Sequence, residues 1–384
     1  AQMKALGQRI ARTRTELKQV VLDLKLTHRR MFQALAVDPQ NLVARRKELP
    51  KDAVLVEYFV AADSLYAFVV SSGHREPSVV RVEVGADELE ATIAKFRQAI
   101  QKEPEAIANL GRKLGDWLLS PLRPHLQGAK TLIVMPFGPL YYLPFDALVV
   151  SAPGEPLRYA IEDLRISVQT GTTLENLLDA PRSAESGSML AVSNPDGTLP
   201  GANREVRHIV RTALPDATVL RRKQATVKKF QSLAGSFRYL HLATHGILDR
   251  DPRKTHLKMA DGPLTVHQIA GLQGLDQSNE LVVLSACDTA VEKGASTGDE
   301  LVSLAFAFAM AGSPALVASL WAVNDNSTAE LMAAFYRALE QNSGDRLDAL
   351  RNAKLKLLRL KRGSRKPFAS PKNWASFQLY GDFR

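Results

Sequence analysis

Two kinds of hydrophobic pattern alternate along the chain. Over residues 1–36, apolar side chains recur at Ile10, Leu17, Val20, Val21, Leu24 and Met31, with no proline before Pro39. That spacing predicts a helix. From 53 to 83 the pattern shortens. The runs AVLVEYFV, SLYAFVVSS and VVRVEV are rich in β-branched and aromatic residues and predict a small strand meander. Helical spacing returns over about 86–101 and 105–119, and TLIVMPF and RISVQT read as further strands. From about 188 the chain alternates regularly. SMLAVSN, ATVLRR, FRYLHLAT, ELVVLSA, PALVASLW and ASFQLYG read as strands. Helices are predicted between them over 202–213, 226–233, 299–310, 327–339 and 346–361, and the stretch containing DGPLTVHQIAGL reads as irregular. These strands are continuously apolar rather than alternating, the mark of strands buried on both faces. The expectation is an α/β fold with a mostly parallel sheet flanked by helices.

Composition narrows the picture. The chain has 384 residues, 45% of them hydrophobic, which is ample for a packed core in two or three domains. One cysteine excludes an internal disulfide and gives no pointer to an oxidising compartment. There is no signal-peptide pattern and no apolar run of about 18 residues, so no membrane span is expected and the location read from the sequence is cytoplasmic. The sequence starts at Ala1 rather than methionine, which leaves open whether an upstream part of the natural protein has been removed.

The net charge of +10 is uneven. Residues 1–50 hold 11 Lys/Arg against 4 Asp/Glu, and residues 351–370 hold 8 Lys/Arg and no acid. Basic helices can serve nucleic acid or an acidic partner. Without interleaved aromatics to stack bases, both segments read as solvated helix faces, and direct nucleic-acid contact is not expected. No cluster has metal-ligand spacing, and no cofactor is expected.

Two strand ends carry candidate chemistry. YLHLATHG ends on His245 and Gly246, and LVVLSACDTA contains Cys287, the only cysteine. In an open parallel sheet, reactive groups gather beyond the carboxyl ends of strands. If the two strands are neighbours, a thiol and an imidazole arrive at one edge. A thiol needs a nearby base to become a thiolate, and histidine is suited to supply that. Gly246 lets backbone approach a substrate carbonyl, so the N–H groups of Gly246 and Cys287 are candidate oxyanion donors. On pattern alone the plain reading stands beside this one: an inert core cysteine and a histidine satisfied by its neighbours. His241 has an even spacing from His245 and reads as a buried structural histidine bonded to nearby backbone.

The stretches HLATHGILD, DGPLTVHQIAGL, ELVVLSACDTA and GDELVSLAFAFAMAGSPALVASLWAVND, in this order, resemble the CHAT-domain cysteine peptidases of the caspase/separase-like superfamily. LPGANREV and NWASFQLYGD are similar to the family's early and terminal motifs, while LVEYFV, LYAFVV and MPFGPLYYLPFDAL are similar to a smaller sheet preceding the catalytic unit. The resemblance covers nearly everything from about residue 40. It implies a caspase-like mostly parallel sheet flanked by helices, preceded by a smaller inactive pseudo-peptidase α/β unit and an N-terminal helix. The expected boundaries are 1–48 for the helical region, 49–186 for the pseudo-peptidase unit and 187–384 for the catalytic unit. It further implies peptide-bond hydrolysis through a Cys-His dyad, with Cys287 as nucleophile, His245 as base and a thioester intermediate. No third catalytic residue is evident.

Related peptidases that cut after Arg or Lys carry an aspartate two residues before the nucleophile; Ser285 stands there. Other candidate pocket walls are Asn194, Asp196, Trp321 and Asp325. Trp321 is either a flat apolar wall or a core residue. Asp325 either pairs with a basic substrate residue or caps the following helix. The loop VEKGASTGD (291–299) either controls access by ordering or is a passive connector. The resemblance also implies a regulated bacterial effector whose protein substrate is cut on a signal from an activating partner, received through an upstream helical-repeat region. The alternative is a degenerate peptidase acting as a non-catalytic adaptor or scaffold. A nucleotide-binding domain is disfavoured because NPDGTLPG lacks the glycine spacing of a phosphate turn.

Overall fold

The computed structural model describes residues 48–73, 76–170, 189–249, 251, 254–285, 299–321, 325–341 and 345–384, with the side chains of 299–302 and 325 left aside. The expected helix over 1–36, Cys287 and residues 291–298 of the expected loop lie outside the described residues.

Two sheets organise the rest. The first has the order β3-β2-β1-β4-β5, with β1 (Ala53–Val60), β2 (Leu65–Ser71), β3 (Ser78–Val82), β4 (Thr131–Met135) and β5 (Arg165–Val168). The meander β1-β2-β3 is antiparallel, and β4 and β5 extend β1 in parallel. Parallel neighbours need a crossover. Between β1 and β4 the chain makes the β2-β3 excursion and then α1 (Ala86–Lys102) and α2 (Ile107–Leu118), which pack on each other.

The second sheet has the order β14-β13-β12-β8-β6-β7. Its strands are β6 (Met189–Ser193), β7 (Thr218–Arg221), β8 (Tyr239–Ala243), β12 (Leu281–Leu284), β13 (Ala315–Ser319) and β14 (Phe377–Gly381). All pair in parallel except β14, which runs antiparallel to β13. Every residue of β6, β8, β12 and β13 is buried, so both faces are covered and the continuous apolar runs are explained. One group of helices is α3 (Pro200–Thr212), α7 (Asp325–Gln341) and α8 (Arg346–Arg359), in mutual contact through α7. Another pairs α5 (Val266–Ala270) with α6 (Asp299–Met310), while α4 (Val227–Ala234) packs near the hairpin described next.

The stretch read as irregular contains a third, three-stranded sheet: β9 (Gly246–Ile247), β10 (His256–Met259) and β11 (Gly262–Thr265), in the order β11-β10-β9. These strands of 2–4 residues are too short to show an alternating period. A left-over turn signal was present in Asp261-Gly262, where Gly262 has φ 145°, and Thr265 then opens α5 with a capping box to Gln268.

The two large sheets meet edge to edge at β5 and β14. The Gln169 side chain bridges them like a strand residue: its Nε2 donates to the Gly381 carbonyl at 2.9 Å and its Oε1 accepts from the Gly381 N–H at 3.0 Å. The basic segment read as a solvated face is in part an interface. Lys354 is 2% exposed and pairs with Asp146 from the first unit. Arg351 donates to the carbonyls of Ile161 and Glu162 at 2.9 and 3.0 Å. The exposed reading holds for Arg359 and Arg362, at 63% and 65% side-chain exposure. A charge count cannot separate these cases, because long basic side chains bury their stems and extend their heads to distant acceptors.

Candidate active site

The site is built where β8 and β6 end. β8 runs parallel to β12 with Leu242 beside Leu284, and to β6 with Ala243 beside Ser193. One residue past β8, at Thr244, the chain leaves the sheet, and His245 follows at 15% side-chain exposure. The backbone is fixed there by β10: Lys258 N–H donates to the His245 carbonyl at 2.9 Å, and the Thr244 hydroxyl donates to the Lys258 carbonyl.

The Gly246 amide follows from that ladder. The 258–245 pair is hydrogen-bonded, and Gly246 sits opposite Leu257, the next position along. In an antiparallel pair, alternate positions turn their N–H groups outward. Gly246 is therefore directed away from β10, on the edge strand of its sheet.

The turn after β6 supplies the second wall. Asn194 has φ 50° and is 1% exposed. Its N–H donates to the Ala243 carbonyl at 3.0 Å and its Oδ1 accepts from Leu199 N–H at 2.8 Å. It braces the turn from inside instead of walling a pocket. Asp196 faces His245, with Oδ2 3.7 Å from Nε2. Between them, the Thr198 hydroxyl lies 2.7 Å from Nε2 and 2.8 and 2.9 Å from the two carboxylate oxygens. Lys258 Nζ reaches Asp196 Oδ2 at 2.8 Å. Burial alone raises the Asp196 pKa, but the Lys258 ammonium and the Thr198 N–H and hydroxyl outweigh it and hold the carboxyl well below the usual carboxylate range.

Ser285, the residue after β12, does not point into an empty space. Its hydroxyl donates to Glu205 Oε2 at 2.9 Å. Glu205 is on α3 and 4% exposed, and its other oxygen is 3.2 Å from His241 Nε2, although not along a well-aligned hydrogen bond. His241 Nδ1 is 3.1 Å from the Tyr336 hydroxyl. Burial, then Glu205 and Tyr239, push the Tyr336 pKa well above its ordinary value, so its hydroxyl keeps its proton. His241 is buried, as the sequence indicated; the named partners are Tyr336 and Glu205 side chains rather than the expected backbone, because strands already pair their backbone with each other. Trp321 is 6% exposed with its indole N–H directed to the Lys372 carbonyl at 3.3 Å, which is the core position rather than the flat open wall. Asp325 begins α7, and its side chain is outside the described atoms.

Sequence reasoning overlooked Thr198, Lys258, Glu205 and Tyr336. Glu205 stood inside LPGANREV, and its place on α3 over the strand ends was the available signal. Lys258 had none, since it arrives through the short hairpin. A cavity of about 660 Å³ lined by Arg112, Asp116, Arg123 and Arg158 lies in the first unit and shares no residue with this site. Among the described residues, no group of three His, Cys, Asp or Glu is placed to hold a metal ion.

The CHAT domain family pattern matches residues 108–382, from α2 through β14. The chain belongs to the CHAT domain family. Among solved structures, two of the Saccharomyces cerevisiae separase–securin complex are similar, with TM-scores of 0.58 and 0.56 at 9% and 10% identity. Each likeness covers 90% of this chain and 31% of the other, so it shows the fold. A mouse protein, tetratricopeptide repeat protein 28, is 36% identical over 112 residues. That match takes in 29% of this CHAT chain and 4% of the mouse protein, so the chain spans a small part of its relatives' length. No described helix is long and apolar enough to cross a membrane.

Proposed function

We propose that this CHAT domain is a cysteine endopeptidase in which Cys287 is the nucleophile and His245 the general base. The parallel register of β12 on β8 carries the reading. Leu284 stands beside Leu242, so the next positions, Ser285 and Ala243, are level with each other, each two residues before Cys287 and His245 in the sequence. In the proposed reaction the thiol proton passes to His245 as sulfur attacks the scissile carbonyl carbon. The Gly246 and Cys287 N–H groups receive the oxyanion. The C–N bond then breaks, the proton goes to the leaving amine, and water hydrolyses the thioester. The outward Gly246 amide supports its part in this scheme.

The unit at 49–186 acts as a non-catalytic buttress: it contains no cysteine, and its β5 edge braces β14. Cleavage of a protein substrate is switched by a partner through helical repeats upstream, as a regulated effector would require. The match to a protein named for tetratricopeptide repeats supports that arrangement.

The test is turnover of a peptide library by the intact chain. Cys287→Ala and His245→Ala are each expected to abolish cleavage with the circular dichroism spectrum unchanged, and iodoacetamide at neutral pH to alkylate Cys287 and stop turnover in parallel. Full activity of Cys287→Ala would overturn the nucleophile assignment. A folded wild-type chain with no turnover under any activating condition would favour the scaffold reading.

A further inference from the structure

The turn between β6 and α3 puts two side chains, Thr198 and Asp196, in line with His245, and the chemistry of the threonine between the other two decides what they do. A threonine hydroxyl has one proton and two lone pairs. Asp196, ionised and held by Lys258, can only accept. The Thr198 proton therefore goes to Asp196, whose oxygens lie at 2.8 and 2.9 Å. Oγ1 then presents lone pairs to His245 Nε2 at 2.7 Å. That short contact is favourable only if Nε2 carries the hydrogen. The direct Asp196–His245 distance of 3.7 Å is too long for a hydrogen bond, so the carboxylate acts on the ring through the hydroxyl.

We infer that Thr198 and Asp196 are positioning residues for His245: a side-chain arm that keeps the hydrogen on Nε2 and leaves Nδ1 as the nitrogen that takes up a proton. When Nδ1 is protonated, the arm places a carboxylate one hydroxyl away from the imidazolium. Lys258 pairs with Oδ2, the same carboxylate oxygen that lies 3.7 Å from His245 Nε2, and holds the carboxylate in place.

The arm is rigid because its backbone is tied at both ends. The Thr198 N–H donates to Asp196 Oδ1 at 3.0 Å, closing the turn on itself. Asn194 anchors the turn to Ala243, on the strand that delivers His245. Lys258 also holds the His245 carbonyl through its own N–H. The hydroxyl, the carboxylate and the ring thus share one frame, and a shift of one moves all three. This goes beyond a two-residue site. Its catalytic consequence rests on the peptidase reading, whereas its effect on the ring's tautomer does not.

The experiment is ¹⁵N NMR of the histidine-labelled chain at a pH where His245 is neutral, with its resonances assigned by difference from His245→Asn. The expected wild-type spectrum shows a hydrogen-bearing Nε2 and a bare Nδ1. In Thr198→Val the two nitrogens are expected to move toward averaged shifts, and in Thr198→Ser to keep the wild-type pattern. Turnover follows the same order: kcat falls by about 10²-fold in Thr198→Val with KM within about twofold, and Thr198→Ser restores it. Asp196→Asn, which keeps the volume, lowers kcat in the same way. A wild-type chain with the hydrogen on Nδ1, or a Thr198→Val spectrum unchanged from wild type, would overturn the inference. The wild-type spectrum depends on neither Thr198 variant. If the tautomer follows Thr198 but no peptide is ever cut, the arm stands and the peptidase reading falls.

Discussion

Glu205 is a carboxylate that the fold has taken almost wholly out of water, beneath the edge where His245 emerges. It accepts from Ser285 and faces His241. Removing one member of a buried charged group leaves the others without a partner, which costs more than the pair itself is worth. Glu205→Ala is therefore expected to destabilise the chain by about 3 kcal/mol in urea titration, with Glu205→Gln losing less because its amide oxygen still accepts from Ser285. A loss in Glu205→Ala below ~1 kcal/mol, the worth of an ordinary hydrogen bond, would mean the group carries no buried charge. Asp196 predicts a pH effect of definite sign. Its folded pKa lies below its unfolded value near 3.9. Its contribution is fully present above the unfolded value and is lost as pH falls through it toward the folded one. Acid titration of stability should accordingly show a shallower loss below about pH 4 for Asp196→Asn than for wild type. Equal slopes would mean that Lys258 and Thr198 do not hold the Asp196 carboxyl below its ordinary value.

At the scale of elements, what could be read from the sequence depended on length. β6, β8 and β13 have five residues each, all buried, and their apolar runs between helical stretches announced a parallel sheet. β9 to β11 escaped because two to four residues cannot display a period, and with them went Lys258 and the fixed geometry of His245. Which strands are neighbours follows from tertiary pairing: β8 lies between β12 and β6, an order no local pattern encodes. β14 shows how one backbone position can hold an element in place. Gly381 ends it at φ 90°, and a Cβ there would run into the Pro314 carbonyl oxygen. Both its backbone groups are taken by Gln169. Gly381→Ala combines a left-handed conformation, worth ~1–2 kcal/mol, with that collision. A thermal melt should show a drop of several degrees, and an unchanged midpoint would mean β14 can shift freely against β13 and β5.

For the whole molecule, the question is whether the two large sheets stand or fall together. Further buried or half-buried ties cross between them, beside those of Gln169 and Arg351. Lys354 on α8 reaches Asp146 and the Phe377 carbonyl. Arg165 on β5 pairs with Asp345 at 2.7 Å and Asp348 at 3.1 Å, at the start of α8, where Asp345 also caps the helix by accepting from Asp348 N–H. Gln378 Nε2 on β14 donates to the Leu143 carbonyl at 2.6 Å. If the units parted, water would take over these polar groups, so each hydrogen bond adds only about 0.5–1.5 kcal/mol to the cost of exposing the apolar contact area. Lys354→Met leaves Asp146 buried and uncompensated and should destabilise by about 3–5 kcal/mol. Adding Asp146→Leu removes the orphaned charge and should recover much of that loss, since an apolar pair can replace a buried ion pair. If the sheets are one cooperative unit, the Lys354→Met transition stays single and moves as a whole, with tryptophan fluorescence and circular dichroism coincident. Chains keeping only Trp117 on α2 or only Trp321 beyond β13 report on the two sides separately, whereas Trp374 packs against Tyr159 between them. Two separated transitions would show that the first sheet unfolds alone, and its role as a buttress for β14 would then be lost.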